Sequence, residues 1–178
     1  VAVVHCETTT GILNPIKEIG ALVKRYGKTY MVDAMSSFGG IPVNLKDCHI
    51  DYLVSSSNKC VEGVPGFSFA LCKRDELEKT ANNARSLSLD LYAQWIGLAK
   101  NGQFRFTPPT HSIAAYWEAL QQLDEEGGVE GRAERYRNNH QTLLKGMQEM
   151  GFKAYLPETK QGWIITSFYY PESDNFDF

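Results

Sequence analysis

No apolar run in this sequence approaches the roughly 20 residues that a membrane-spanning helix requires, and Val1-Ala2-Val3-Val4 is too short for a signal-peptide core. These absences predict a soluble, cytosolic protein with no membrane partner. An excess of one charge is lacking too: 18 Lys and Arg against 21 Asp and Glu leave a formal net charge of −3, which gives nucleic acid no electrostatic footing. A small molecule is the expected partner. Cysteine is sparse, and Cys6, Cys48, Cys60 and Cys72 form no CxxC pair and lack the close histidine and cysteine partners of a structural zinc site. All four read as reduced thiols, Cys60 included, since a small buried hydrophobe is the usual role of such a residue. Internal repeats and low-complexity segments are absent as well.

What is present is enough apolar sequence, 43% of 178 residues, for one main core. Residues 1–5 read as a buried strand, Asn14-Pro15 opens a helix with a capping residue and a first-turn proline, and Ile16, Ile19, Leu22, Val23 and Tyr26 recur at helical spacing before the stop at Gly27. A strand over 29–32 completes a βαβ unit. Residues 51–54 and 67–71 predict a third and a fourth strand. Helices follow near 75–82 and 89–100, then along Ile113, Tyr116, Trp117, Leu120 and Leu123, then from 129 to 150. The stretches 152–155 and 163–169 read as strands of a small second unit. A strand at residue 1 with nothing before it, and a second unit of two strands, predict that the chain is the middle portion of a longer protein.

Candidate chemistry gathers where the strands end. Lys59 follows the third strand in Ser55-Ser56-Ser57-Asn58-Lys59-Cys60-Val61-Glu62-Gly63-Val64-Pro65-Gly66, and Asp33 ends the second, ahead of Ser36, Ser37 and Gly39-Gly40. In a parallel α/β sheet, ligands bind outside the carboxyl ends of the strands. An amine and an acid at one such edge meet the needs of pyridoxal phosphate, which takes a lysine at its aldehyde and a carboxylate at its ring nitrogen. Taken singly, Lys59 is a surface lysine and Asp33 a turn aspartate; the small residues around both favour the ligand reading. Thr9, in His5-Cys6-Glu7-Thr8-Thr9-Thr10-Gly11, is a hydrogen-bond candidate for a ring substituent. Ser55, Ser57 and Asn58 are candidates for a phosphate. His5 and Glu7 lack a third metal ligand, so no metal is expected. Thr107 and Thr110 flank the stiff Pro108-Pro109 and present hydroxyls to a neighbour, or in the case of Thr110 cap the next helix. Arg105 pairs with an anionic group or forms an ordinary surface salt bridge.

Three ordered motifs, 5–15, 32–40 and 57–66, together resemble the class V aminotransferases. The resemblance implies a fold type I α/β architecture: residues 1–128 as part of the pyridoxal-phosphate-binding large domain, a partial, mostly parallel sheet with flanking helices, and 129–178 as a linker helix and the start of a small C-terminal α+β domain. It implies that Lys59 bonds the cofactor aldehyde and carries the proton, that Asp33 meets the pyridine nitrogen, that Thr9 lies near the ring oxygen, and that Ser57 and Asn58 lie near the phosphate. Thr107, in Arg105-Phe106-Thr107-Pro108-Pro109-Thr110-His111, occupies the place of a threonine that reaches the phosphate from the partner subunit of a homodimer. A phosphate loop and a ring-stacking aromatic belong upstream of Val1, and a substrate-binding arginine beyond Phe178. The implied reaction moves an amino group from 2-aminoethylphosphonate to pyruvate, giving phosphonoacetaldehyde and alanine. Alanine or serine transfer to glyoxylate is the enzymatic alternative, and a non-catalytic chain that contributes only a dimer surface is the other.

Overall fold

In the computed structural model, which describes residues 1–173 and 175–177, four short strands form one sheet in the order β1-β2-β3-β4. They are β1 (Ala2–Val4), β2 (Met31–Asp33), β3 (Tyr52–Ser56) and β4 (Ser68–Cys72). The first three are parallel, with Val4, Asp33 and Val54 side by side in register, and β4 turns back antiparallel along β3. Parallel pairing forces a crossover between β1 and β2, and helix α1 (Ile16–Arg25) supplies it.

The core sits where α1 meets the sheet. Ile16 and Val23 from the helix close on Tyr30, Val32, Ala34, Cys48, Ile50 and Leu53. Val32, Ile50 and Leu53 are fully buried, and each such side chain contributes about 1.5–3 kcal/mol through the water it leaves. Tyr30 enters the same core because its hydroxyl donates to the Ile16 carbonyl at 3.1 Å. Gly20 lies where a Cβ would stand 1.9 Å from the Cys48 carbonyl oxygen, so only glycine lets the helix approach this closely.

Helix α2 (Arg74–Glu78) follows the sheet, then α3 (Leu91–Asn101), α4 (Thr110–Glu125) and α5 (Gly128–Glu149). The Asp90 side chain caps α3 by accepting from the Ala93 N–H at 2.9 Å. α4 packs on α5, and Gly127, at φ +96°, turns the chain between them.

Two expectations are corrected here. Asn14 does not cap α1: its amide donates to the Val4 carbonyl at 2.8 Å, and Pro15 holds the cap position with no side-chain bond. The loop after β1 is thereby tied back to the strand it left. The stretches 152–155 and 163–169 form no strands; a single antiparallel bridge joins Ala154 to Phe168, and another joins Gln161 to Ile12. Their apolar alternation is used in packing: Trp163 donates its indole N–H to the Gly40 carbonyl at 2.9 Å, and Ser167 donates to the Thr9 carbonyl at 2.7 Å.

Candidate active site

The carboxyl ends of the three parallel strands release three loops, and side chains stitch these loops together. From the β1 loop, Thr8 shares a hydrogen bond with Ser36 at 3.0 Å, and His5 Nδ1 lies 2.9 Å from Ser37 Oγ. Cys60 Sγ, in the β3 loop, donates to the Ser36 carbonyl at 3.3 Å. Gly39 and Gly40 make the contact between the second and third loops: a Cβ on Gly40 would stand 2.9 Å from both Cβ and Sγ of Cys60, and one on Gly39 would meet Val61 Cγ2 at 2.8 Å. The glycine pair therefore brings the chain following Asp33 against the chain following Lys59.

Asp33 is half-buried at the end of β2, where Oδ1 accepts the Met35 N–H at 2.9 Å and Oδ2 has no partner among the described residues. Lys59 is exposed, and its ammonium makes no hydrogen bond or ion pair among the described residues. Its backbone is fixed all the same: the Glu62 N–H donates to the Lys59 carbonyl at 2.8 Å, and the Gly63 N–H to the Ser57 carbonyl at 2.9 Å. Thr9 and Asn58 are exposed on the same loops, and Thr107 is exposed in the segment before α4. Ser112, early in α4, donates to the Pro65 carbonyl at 3.2 Å and ties that helix to the turn beyond Lys59.

Ser57 behaves differently from its neighbours. It is buried, its hydroxyl donates to Val64 O at 2.7 Å, and its N–H goes to Phe67 O at 3.3 Å, so its donors are engaged within its own loop. Ser56, passed over in the sequence reading, has a buried hydroxyl with no partner among the described residues. Strand alternation and the pairing of Asp33 with Val54 place Ser56 on the same sheet face as Asp33. A buried polar atom without a partner costs about 1–3 kcal/mol unless something satisfies it. The donor set, an amine, a carboxylate with an open oxygen and an orphaned hydroxyl on one sheet edge, fits pyridoxal phosphate.

Burial sets the electrostatics beneath these loops. It lowers the His5 imidazole to about 4 and keeps it neutral. The Cys60 thiol is pushed up to about 12 by burial first, then by Cys6 and Glu62, so it is an inert thiol. Cys6 rises to about 11, again chiefly by burial. Among the described residues no group of three or more His, Cys, Asp or Glu is placed to hold a metal ion, and no helix is long and apolar enough to cross a membrane. Arg105 reaches Asp90 at 4.0 Å and the Leu87 carbonyl at 3.1 Å, the ordinary surface alternative.

A second set of residues escaped the sequence reading. Arg132, Arg135 and Tyr136 share one face of α5 and grip the loop that carries Lys59 through Cys60 and Glu62. Their spacing of three and four was visible as a helical stripe. Their partner, Glu62, lies too far away in sequence to be paired with them by pattern.

Comparisons with known proteins agree with this geometry. The model of the family described as aminotransferase class-V matches residues 1–177. The chain is 57% identical over 172 residues to a 2-aminoethylphosphonate–pyruvate transaminase of Bacillus cytotoxicus, covering 96% of this chain and 47% of that protein. It is 52% identical over 179 residues to the same-named protein of Vibrio cholerae, covering 100% of this chain and 49% of that one. The chain thus spans about half the length of the curated relatives it matches. Among solved structures, pyridoxamine-pyruvate aminotransferase from Mesorhizobium loti superposes with a TM-score of 0.87 at 29% identity, over 97% of this chain and 45% of that one. Ureidoglycine-glyoxylate aminotransferase from Bacillus subtilis does so with a TM-score of 0.85 at 26% identity, over 97% and 45%. An amine and an acid on adjoining loops at a parallel sheet edge, and a family match along nearly the whole sequence, lead to one conclusion: the chain belongs to the class V aminotransferases.

Proposed function

We propose that this chain carries the central chemistry of a pyridoxal-phosphate-dependent transaminase that moves an amino group from 2-aminoethylphosphonate to pyruvate. The observation that carries the reading is the joining of the Asp33 and Lys59 loops through Gly39, Gly40, Ser36 and Cys60. The choice of substrates is supported by relatives of that name at 52–57% identity.

Pyridoxal phosphate, when bound, supplies an aldehyde and an electron-withdrawing ring. Lys59 Nζ would hold the cofactor at that aldehyde between turnovers and, when free, would carry a proton from the donor carbon to a position one atom away. Asp33 Oδ2 would hold the ring nitrogen protonated. Thr9 would hold the ring oxygen, while Asn58 and the Ser56 hydroxyl would hold the phosphate. Ser57 contributes there only by releasing Val64. Thr107 would reach the phosphate of the other protomer in a homodimer. The division into a large-domain part at 1–128 and a small-domain part from 129 belongs to the same proposal. So does a cytoplasmic location, in keeping with four free cysteines.

Titrating the purified full-length protein with pyridoxal phosphate tests the reading. Visible absorption is expected with the wild type and not with Lys59→Ala, and a band that survives the substitution contradicts the assignment of the lysine. Alanine formed from pyruvate at the expense of 2-aminoethylphosphonate is the expected product, and turnover confined to glyoxylate as acceptor favours the alternative substrates.

A further inference from the structure

We propose that Arg132, on α5, is a positioning residue for Lys59, and that with Glu62, Glu126, Arg135 and Tyr136 it holds the peptide from which the reactive amine projects. The inference rests on the reading of Lys59 given above.

Arg132 is 2% exposed. A guanidinium stays in such a place only if each face of it is met by an acceptor. Nη1 donates to the Cys60 carbonyl at 2.8 Å, the peptide oxygen next along the chain from Lys59, and lies 3.5 Å from Glu62 Oε2. Nε donates to Glu126 Oε2 at the end of α4. Arg135, one turn on, bridges the same two acids, with Nε 2.6 Å from Glu126 Oε1 and Nη2 2.9 Å from Glu62 Oε1. The Tyr136 hydroxyl donates to Glu62 Oε1 at 2.6 Å. Two cations thus meet two anions, and the charges balance.

The geometry of the loop shows what this network does. Glu62 is a non-glycine residue at φ +63°, a conformation that persists only where the surroundings over-determine it. Two hydrogen-bond donors from α5, Arg135 and Tyr136, hold its carboxylate there, with the Arg132 charge beside them. The turn 59–62 is closed by the Glu62 N–H on the Lys59 carbonyl at 2.8 Å, and Cys60 is pinned a second time by its thiol on the Ser36 carbonyl at 3.3 Å. Gly131 is needed for the clamp, because a Cβ there would stand 1.9 Å from the Glu126 carbonyl oxygen. The Lys59 side chain takes no part: its base is fixed on both sides while its ammonium stays unengaged among the described residues. A proton carrier that serves two carbon atoms in turn needs such a fixed base and a free tip.

The test uses the full-length protein with Arg132→Met, Arg132→Lys and Tyr136→Phe, and Lys145→Met as a control on the exposed side of the same helix. Hydrogen exchange without cofactor is the first readout. The Glu62 and Gly63 amides in Arg132→Met are expected to exchange at least about tenfold faster relative to the β3 amides. Arg132→Lys, which keeps the charge but loses the fork, recovers only part of the protection. Tyr136→Phe, which removes one bond to Glu62, moves the same two amides in the same direction by a smaller factor and serves if Arg132→Met does not fold. With pyridoxal phosphate bound, kcat is expected to fall by about 10- to 100-fold, KM to stay within about threefold, and the pH midpoint of the visible absorption to shift. Lys145→Met changes none of these. Loop and β3 amides accelerating in parallel, or an unmoved loop in all three variants, overturns the proposal. Visible absorption that survives Lys59→Ala instead overturns the reading of the lysine and leaves the exchange result standing.

Discussion

The two oxygens of Asp33 stand in different settings. Oδ1 accepts the Met35 N–H at 2.9 Å and shapes the turn after β2, while Oδ2 is open among the described residues. Asp33→Asn keeps that contact and loses the negative charge that the proposed pairing with the ring nitrogen requires. Its kcat is expected to fall by roughly 10²–10⁴-fold, with urea-unfolding stability nearly unchanged; a loss below about tenfold would remove Asp33 from the reaction. His5 gives a prediction of another kind. Burial lowers its imidazole to about 4 from 6.5, so between those two values the unfolded chain binds a proton that the folded one refuses. Stability contributed by the neutral imidazole is complete above about pH 6.5 and is lost as the pH falls toward 4, with a slope approaching about 1.4 kcal/mol per pH unit. Subtracting the unfolding free energies of His5→Asn from those of the wild type across that window checks it, and a flat difference contradicts it.

At the scale of elements, close approach decides more than propensity. Gly20 and Gly146 both lie inside helices, where alanine is favoured by roughly 0.5–1 kcal/mol. At Gly20 a Cβ would meet the Cys48 carbonyl oxygen at 1.9 Å, whereas at Gly146 nothing lies within 4 Å. Gly20→Ala is therefore expected to destabilise by about 1–3 kcal/mol or more, since backbone must move, and Gly146→Ala to stabilise by roughly 0.5–1 kcal/mol; thermal unfolding of the two variants should show shifts of opposite sign. The β1–α1–β2 unit, β3 and β4 were legible in the sequence because apolar runs such as 52–54 and the spacing of Ile16, Ile19 and Val23 report burial directly. Asn14 was misread because its local pattern fits a cap, while the competing acceptor, the Val4 carbonyl, exists only once the loop has folded back. The stretches 152–155 and 163–169 were misread for a related reason: their pairing stops at the one bridge between Ala154 and Phe168, while the Trp163 and Ser167 side chains bond to Gly40 and Thr9.

Across the whole molecule, the site joins parts of the chain that sequence pattern does not connect. The placement of Asp33 and Lys59 on adjoining loops was legible because Asp33 ends the second strand and Lys59 follows the third by three residues. Ser56 and the α5 network were not, since the orphaned hydroxyl and the partners of Glu62 are properties of the assembled fold. The network also links the molecule to acidity. Hydrogen bonds from Arg135 and then Arg132, with the charges of both, outweigh burial and hold Glu126 at about 2 from a usual 4.5. For Glu62 burial pushes upward, but Tyr136, Arg135 and Arg132 outweigh it and lower the carboxyl. A lowered carboxyl contributes stability above its unfolded value and loses it as the pH falls through the folded one, so the hold of α5 on the lysine loop is expected to weaken between about pH 4.5 and 2. Glu126→Gln should flatten that part of the acid-unfolding curve, and an unchanged curve would contradict the assignment. The central claim, that Lys59 is the amine bonded to the cofactor, is tested most directly by treating the full-length protein and pyridoxal phosphate with borohydride and mapping the modified peptide by mass spectrometry. The account predicts a pyridoxyl group on Lys59; the same group on any other lysine, or on none, would contradict it.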